Sequence, residues 1–492
     1  MCFSLRSAFT LLLALPALFA AGCSSGDEHT VPIAVIGQPE SLFETGGRLP
    51  PPAKPVRGAT AEGLVGFDEE GRVVPALADR WIITDDGLGY VFRLRDATWL
   101  DGSPLTAVSI RAALRRAQSG LKGTPLGEDL SVISEIRAMA GRVIELRLAY
   151  RHPDLLQLLA QPEMGLVHEG EGAGPMKLMR EGDVAVLTPA SPSMRGLPNV
   201  KGWNERARSL RLTASPANKA VAAFLGGKAS LVLGGTVGDW PLAGEIGIAR
   251  GVVHVDPTPG LFGLSFLHSG GFLTDSANRE AIAMAINRDA LAKALDVRGW
   301  TPSTRIVSPG MEGDLGTLGE RWTQLDLGER RATALARVIR WQNAGNPAPS
   351  LRLALPQGPG ADRLFDQLRD DLAAVGIQVR RVPESDDAEL RLVDAVARYP
   401  RASWFLGQFA CSLGRGMCSA DADRLAAEAR RAPDGATRSA LLAEAEAELT
   451  AANVYIPLGS PIRWAAVRRD VTGFAANRWA IHPLLPLAML PK

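Results

Sequence analysis

Cysteine, histidine and glycine are the residues of this 492-residue chain whose spacing could mark chemistry. Cys411 and Cys418 stand close in sequence. In an oxidising compartment such a pair forms a local disulfide, and closing so short a loop stabilises by roughly 2–3 kcal/mol on the chain-entropy model. A metal-binding pair is the rival; against it stand a spacing unlike Cys-x-x-Cys and the lack of a histidine nearby in sequence. The six histidines are scattered, and His168-Glu169 lacks the second histidine that a metallopeptidase helix requires. Gly172-Ala173-Gly174-Pro175-Met176-Lys177 frees backbone N–H groups that could cradle an anion, yet it lacks the Gly-Lys-Ser/Thr spacing of a phosphate loop, so a structural turn is expected. No Gly-x-Ser-x-Gly elbow and no dinucleotide-type glycine pattern is present. The chain offers no catalytic constellation and implies no cofactor, which directs attention to binding.

The N-terminus carries chemistry of another kind. Arg6 is followed by an apolar core, Leu11-Leu12-Leu13-Ala14-Leu15 and Leu18-Phe19-Ala20, too short to span a bilayer as a mature helix, and then by Ala20-Ala21-Gly22-Cys23. Small residues let a peptidase approach the backbone, and the thiol that follows can carry a diacylglycerol. The pattern looks like a bacterial lipobox: residues 1–22 are expected to be a lipoprotein signal and Cys23 the lipidated residue, with Ser24-Ser25-Gly26-Asp27-Glu28 as a flexible spacer. An ordinary secretory signal with an incidental cysteine is the alternative. The expected location is the periplasm or cell envelope, anchored to membrane through Cys23, where cysteines oxidise.

Balanced charge, 54 basic against 53 acidic residues, gives no electrostatic case for nucleic acid. A chain of this length and 46% hydrophobic content divides into more than one core. Trp81-Ile82-Ile83 and Tyr90-Val91-Phe92-Arg93-Leu94 flank Asp85-Asp86-Gly87, a hairpin signal, and Thr106 opens a run with apolar residues at helical spacing. Pro50-Pro51-Pro52-Ala53-Lys54-Pro55 is expected to be an extended connection. Residues 351–355, 361–375 and 376–379 read as a β-α-β unit, whose crossover rule predicts parallel strands.

Six short patterns then occur in register: Gly63-Leu64-Val65, Pro75-Ala76-Leu77-Ala78, the Trp81 that follows it, Asp85-Asp86-Gly87, Phe92-Arg93-Leu94-Arg95, and Trp99-x-Asp101-Gly102-x-Pro104. In order and spacing they resemble the front of family 5 extracellular solute-binding proteins, the peptide, dipeptide and nickel receptors of ABC importers. A later helix, Phe272-x-x-Asp275-x-x-x-Arg279-x-Ala281-Ile282-x-x-Ala285-Ile286-Asn287-Arg288, resembles the family's second-lobe helix. The resemblance implies an α/β, two-lobed periplasmic-binding-protein fold of type II, in its large peptide-binding subclass, with mixed sheets and a hinge. It divides the chain into a signal (1–22), a tether and the start of lobe I (23–57), a lobe I subdomain (58–174), lobe I continued (175–266), lobe II (267–461) and a return to lobe I (462–492). It also implies a peptide or small-solute ligand, ABC permease subunits as partners, and capture without catalysis.

In peptide-binding relatives, an acidic residue in a segment resembling Trp/Ala-Asp-Tyr-Pro-Asp-Pro pairs with the ligand's α-ammonium. The corresponding stretch here is Ala397-Arg398-Tyr399-Pro400-Arg401-Ala402-Ser403-Trp404, with basic residues where carboxylates are expected. A desolvated ammonium there would be repelled. The expectation is a ligand with a carboxylate, phosphate or other anionic group facing Arg398 or Arg401, flanked by Tyr399 and Trp404 as flat walls; solvated arginines at the lobe surface are the alternative. Phe266 and His268, past the hinge strand, are further candidates, and Leu267 stands where the family places Asn. Two other readings stay open: the same fold holding a metal chelate, haem or sugar conjugate, and a degenerate cleft serving as an envelope scaffold or chaperone.

Overall fold

The computed structural model describes residues 30–247 and 251–491, so the expected signal and Cys23 lie outside the described residues. Three sheets carry the architecture. The first has seven strands, in the order Met176–Glu181, Val184–Pro189, Ser209–Ser215, Thr30–Ile36, Leu231–Thr236, Arg463–Val467, Val253–Val255. Thr30–Ile36 runs parallel to both neighbours and alternates buried side chains such as Val31, Ile33 and Val35 into one core. The second sheet has five strands, Gln378–Val382, Ser350–Ala354, Leu390–Val396, Gly260–Phe266, Tyr455–Gly459. Ser350–Ala354 and Gln378–Val382 pair in parallel through the helix Pro359–Ala373, as the crossover rule predicts. A four-stranded antiparallel unit, Ala78–Ile83, Gly89–Leu94, Val143–Leu148, Ile133–Ala138, forms the third.

The chain crosses between the first two sheets twice, at residues 256–259 and 460–462. The crossings are tied together: the Thr258 hydroxyl donates to the Pro461 carbonyl at 2.9 Å, and the Asp256 N–H to the Arg463 carbonyl at 2.9 Å. Two short adjacent connections between lobes are the geometry of a hinge. The strand Gly260–Phe266, which the sequence reading put at the end of lobe I, is hydrogen-bonded within the five-stranded sheet, between Leu390–Val396 and Tyr455–Gly459.

Two local features decide the sequence's ambiguous stretches. The proline-rich segment is not an extended connection: Ala53–Thr60 is a helix with Pro52 at its N-cap and Pro55 in its first turn. Proline is tolerated there because the first amides have no intrahelical acceptor to lose. The glycine cluster is a close-packing device. A Cβ on Gly172 would lie 2.2 Å from the Thr60 carbonyl oxygen, and one on Gly174 2.3 Å from the Thr60 carbonyl carbon, so only glycine lets this turn press against the end of that helix.

The four-stranded unit is joined to the second lobe as well as the first. Its helices Pro125–Leu130 and Leu155–Leu159 contribute to the same continuous apolar core as Ala402–Gly407, Ala420–Arg431 and Gly435–Ala451. The motif helix Ala107–Gly120 begins as its sequence suggests, with Thr106 and Ser109 forming a reciprocal capping box. Among the described residues no helix is long and apolar enough to cross a membrane.

Candidate ligand-binding site

The segment after Leu390–Val396 leaves the second sheet at the junction of all three units. There the backbone turns from extended into the helix Ala402–Gly407, with the Ala397 N–H anchored on the Pro259 carbonyl at 2.8 Å. Successive side chains of an extended segment point to opposite sides, and Arg398 and Tyr399 separate into two different cavities.

The larger cavity, about 570 Å³, follows the seam between the four-stranded unit and the second lobe and is lined by Asp129, His152, Asp154, Tyr399, Arg401 and Arg430 among others. Tyr399 is buried and its hydroxyl donates to Asp129 Oδ1 at 2.9 Å, with the His152 ring edge-on at 5.2 Å. Arg401 donates to both Asp154 and Glu312. Burial works against the Arg401 charge, but the two carboxylates outweigh it and hold the guanidinium above its ordinary value. Burial raises Asp129 to about 6, opposed by Arg398 and by the Tyr399 hydroxyl. Burial followed by repulsion from Arg401 pushes His152 down to about 4, so its imidazole is neutral.

The second cavity, about 410 Å³, is where the three units meet. Glu44, Arg48 and Lys54 enter from the loops and helix packed on the seven-stranded sheet, Leu121, Thr124 and Glu163 from the four-stranded unit, and Arg398 from the second lobe. Lys54 pairs with Glu163 at 3.0 Å. Burial opposes the Glu163 charge, yet Lys54 and Arg398 hold its carboxyl below the usual range. The Arg398 side chain makes no hydrogen bond or ion pair with another described residue. It is half-buried, a cation placed on the wall of a cleft between lobes.

The other expected site residues fall elsewhere. Trp404 is 1% exposed and packs edge-on to Phe405 at 5.1 Å, so it belongs to the core and is not a flat wall. Phe266 is wholly buried in the second lobe's core, and Tyr399, 3% exposed, lines the seam cavity and not the cleft of Arg398. His268 is well exposed, 3.0 Å from Asp387, which Arg352 also binds. Arg401, expected as an alternative anion contact, is already engaged by two carboxylates. Sequence reasoning did not single out Arg48, Asp129, His152 or Arg415. Arg415 alone left a signal: it stands between Gly414 and Gly416 inside the loop that the Cys411–Cys418 disulfide closes, with Cα atoms 5.3 Å apart. That loop is seated on the end of Gly260–Phe266 by the Met417 N–H, which donates to the Phe266 carbonyl at 2.8 Å.

His168 and Glu169 do approach a third possible metal ligand, Asp101, with ligand atoms within 4.8 Å of one another. Asp101 and Glu169 lie in turns and His168 ends the short strand Val167–His168, its ring tilted against Trp99 at 5.3 Å.

A family model for bacterial extracellular solute-binding proteins, family 5, matches residues 72–193 and 198–412, well over half of the chain. This chain belongs to that family. The family 5 fold extends to nearly the whole molecule: the oligopeptide-binding OppA of Haemophilus influenzae, solved with the peptide RPPGFSPFR, superposes with TM-score 0.80 at 17% identity, covering 94% of this chain and 99% of that one. The murein tripeptide binding protein MppA of Escherichia coli gives 0.80 at 16% identity over 95% and 99%. Identities this low establish the fold alone. In sequence, the probable deoxycholate-binding periplasmic protein YgiS of Escherichia coli is 46% identical over 65 residues, 13% of this chain and only 12% of its own length. The family model and the fold together make this a member of a family of bacterial extracellular solute-binding proteins, with a two-lobed fold.

Proposed function

We propose that this chain is the lipid-anchored substrate-binding component of an ABC importer, tethered through Cys23, that captures a peptide or similar small solute by hinge closure and hands it to a membrane permease. The family supports the first part, the paired crossings at 256–259 and 460–462 support closure, and the lipobox pattern supports the tether. One observation carries the reading of the ligand: Arg398 lies in the cleft where a peptide receptor would hold a carboxylate, and no carboxylate contacts it directly. A ligand's free α-ammonium would meet a like charge in a partly desolvated place, which costs several-fold in affinity or more. The end of the ligand that faces Arg398 is therefore neutral or anionic, and the family's selection for a free peptide N-terminus does not operate.

Calorimetry with matched peptides, free and N-acetylated, tests this directly. Acetylation is expected to leave affinity unchanged or improve it, and strict dependence on the free amine would refute the reading. Arg398→Asp is expected to reverse the preference, since it installs an acidic anchor at that position.

A further inference from the structure

Arg398 is one member of a larger arrangement. Arg48 shares its cavity from the opposite lobe, where among the described residues its side chain makes one long hydrogen bond, 3.4 Å, to the Lys122 carbonyl. Arg415, on the disulfide-closed loop, and Arg391, on the strand Leu390–Val396, stand close enough for their charges to act on one another. The Arg415 guanidinium is held below its ordinary value by burial first and then by repulsion from Arg398, Arg391 and Arg48. Arg391 reaches one carbonyl, of Asp386 at 3.3 Å, and its Nε is buried with no partner. None of the four makes an ion pair with another described residue.

The acidic groups in the neighbourhood do not cancel this charge. Glu163 is taken by Lys54, Asp394 by Arg463 at 2.7 Å, and Glu389 and Asp387 by Arg352 at 2.6 and 2.9 Å. Glu44 is exposed at the cavity rim, Glu384 is exposed beside Arg391, and Asp129 is engaged by Tyr399 across the seam. Several interior arginines of this chain are held by carboxylates, and the buried Arg279 and Arg288 by backbone carbonyls. Arg305 lies between Asp314 and Glu446 at 2.6 and 3.2 Å, and Arg331 meets Asp371 at 2.5 Å. The cluster differs from these in arrangement: four arginines without ion-pair partners among the described residues, Arg48 and Arg415 exposed and Arg391 and Arg398 half-buried, are contributed from both sides of a cleft that closes. Guanidinium forks match carboxylate and phosphate oxygens bidentately, and like charges facing each other across a hinge resist closure until something neutralises them.

We propose that the solute is a small polyanion, carrying two or more carboxylate or phosphate groups, gripped between Arg48 of the first lobe and Arg398, Arg415 and Arg391 of the second, and that its charge licenses closure. This rests on the reading of the chain as a binding protein, and it extends that reading from one anionic group to several. Neutral solutes would leave the repulsion standing, and cationic ones would add to it.

The test uses the full chain, with calorimetry for affinity and small-angle scattering for closure. Tricarballylate and inorganic pyrophosphate serve as carboxylate and phosphate probes, N-acetyl-trialanine amide as a neutral probe and trilysine as a cationic one. At least one polyanion is expected to compact the protein and to bind about tenfold or more tighter than the neutral probe. Arg398→Gln and Arg415→Ala are each expected to weaken the polyanion by about tenfold without weakening the neutral probe. Arg93→Ala, an exposed site on the four-stranded unit, is expected to alter neither. Raising the salt concentration without any probe is expected to shift the scattering toward the compact form, because screening weakens the repulsion. The two polyanion arms separate a carboxylate solute from a phosphorylated one. If the neutral or cationic probe closes the lobes as well as either polyanion, or if the arginine substitutions change nothing, the polyanion proposal falls and the binding-protein reading stands. If neither salt nor any probe changes the scattering profile, both fall.

Discussion

Two regions built from neighbouring residues of one segment behave in opposite ways. On the seam side, Tyr399 and Arg401 are satisfied by Asp129, Asp154 and Glu312. On the cleft side, Lys54 is paired with Glu163, but Arg398 has no such partner among the described residues, and neither have Arg48, Arg391 and Arg415 around it. The seam is buried, matched in charge, and continuous with an apolar core that joins the four-stranded unit to the second lobe. The cleft is open, mismatched in charge, and assembled from three units. A basic residue at a given place in a motif thus says little until its partners are known. A paired arginine holds two pieces of protein together, whereas one left without a counter-ion in a hinge cleft has been left for something from outside.

The largest expected effect is on the seam. Arg401→Leu would strand Asp154, which is 5% exposed and has no other ion-pair partner among the described residues. Breaking one side of a buried pair costs about 3–5 kcal/mol. Urea unfolding should therefore show a large loss, and adding Asp154→Asn should recover much of it by removing the stranded charge. A loss no greater than that of Arg398→Gln would erase the distinction between the two regions.

Next in size is the disulfide, which belongs to the cleft. Reduction, or Cys411→Ser with Cys418→Ser, should lower stability by about 2–3 kcal/mol from loop-closure entropy. The same change should weaken polyanion binding, because the loop that fixes Arg415 is freed while its Met417 anchor on the Phe266 carbonyl remains. Equal affinity in reduced and oxidised protein would show that Arg415 does not need the closed loop.

The sequence foreshadowed the fold well and the site poorly, for different physical reasons. Alternating strands, the Asp85-Asp86-Gly87 hairpin, the Thr106 cap and the parallel β-α-β unit are local, and each formed where its pattern indicated. The nearness of Cys411 to Cys418 was enough to anticipate their bond. The proline-rich run misled because proline's effect depends on its position in a helix, and the first turn is the permissive one. The site was harder because partners come from distant sequence: Arg401 meets Asp154 across 247 positions, and Tyr399 meets Asp129 across 270. Nothing in the string Arg398-Tyr399-Pro400-Arg401 marks which arginine is already spoken for. Trp404 and Phe266 carry aromatic side chains that serve either core or ligand, and only the packing around them decides for the core.

A pH series sharpens the seam side further. His152, ordinarily near 6.5, is held at about 4 in the fold, so its contribution is complete above 6.5 and is lost as pH falls toward 4. Asp129, ordinarily near 3.8, is raised to about 6; its contribution is complete below 3.8 and is lost as pH rises through 6. Between pH 4 and 6 the two slopes oppose each other, and the seam's stability should be nearly flat. Asp129→Asn keeps an oxygen for the Tyr399 hydroxyl and removes one slope. It should raise stability at neutral pH by about 1–3 kcal/mol and expose a steeper acid loss due to His152. Unfolding midpoints measured across that range decide the matter, and an unchanged profile in Asp129→Asn would mean that the seam does not hold this carboxyl buried.

The smallest stability effect belongs to Arg398, and its smallness is the sharpest form of the comparison. Replacing Arg398 with glutamine removes an attraction toward Asp129 and Glu163 and also a repulsion toward Arg415. Those contributions have opposite sign, and the side chain forms no direct bond whose loss would strand a buried partner. The expected change in unfolding free energy is within about 0.5 kcal/mol, as for an ordinary surface site. Binding should respond in the other direction, with the polyanion weakened and the unliganded protein more readily compacted. A residue that costs affinity but not stability is held in place for its ligand. Should Arg398→Gln instead unfold the chain as readily as Arg401→Leu, its cation would be part of the scaffold and the cleft would have lost its reason to select an anion.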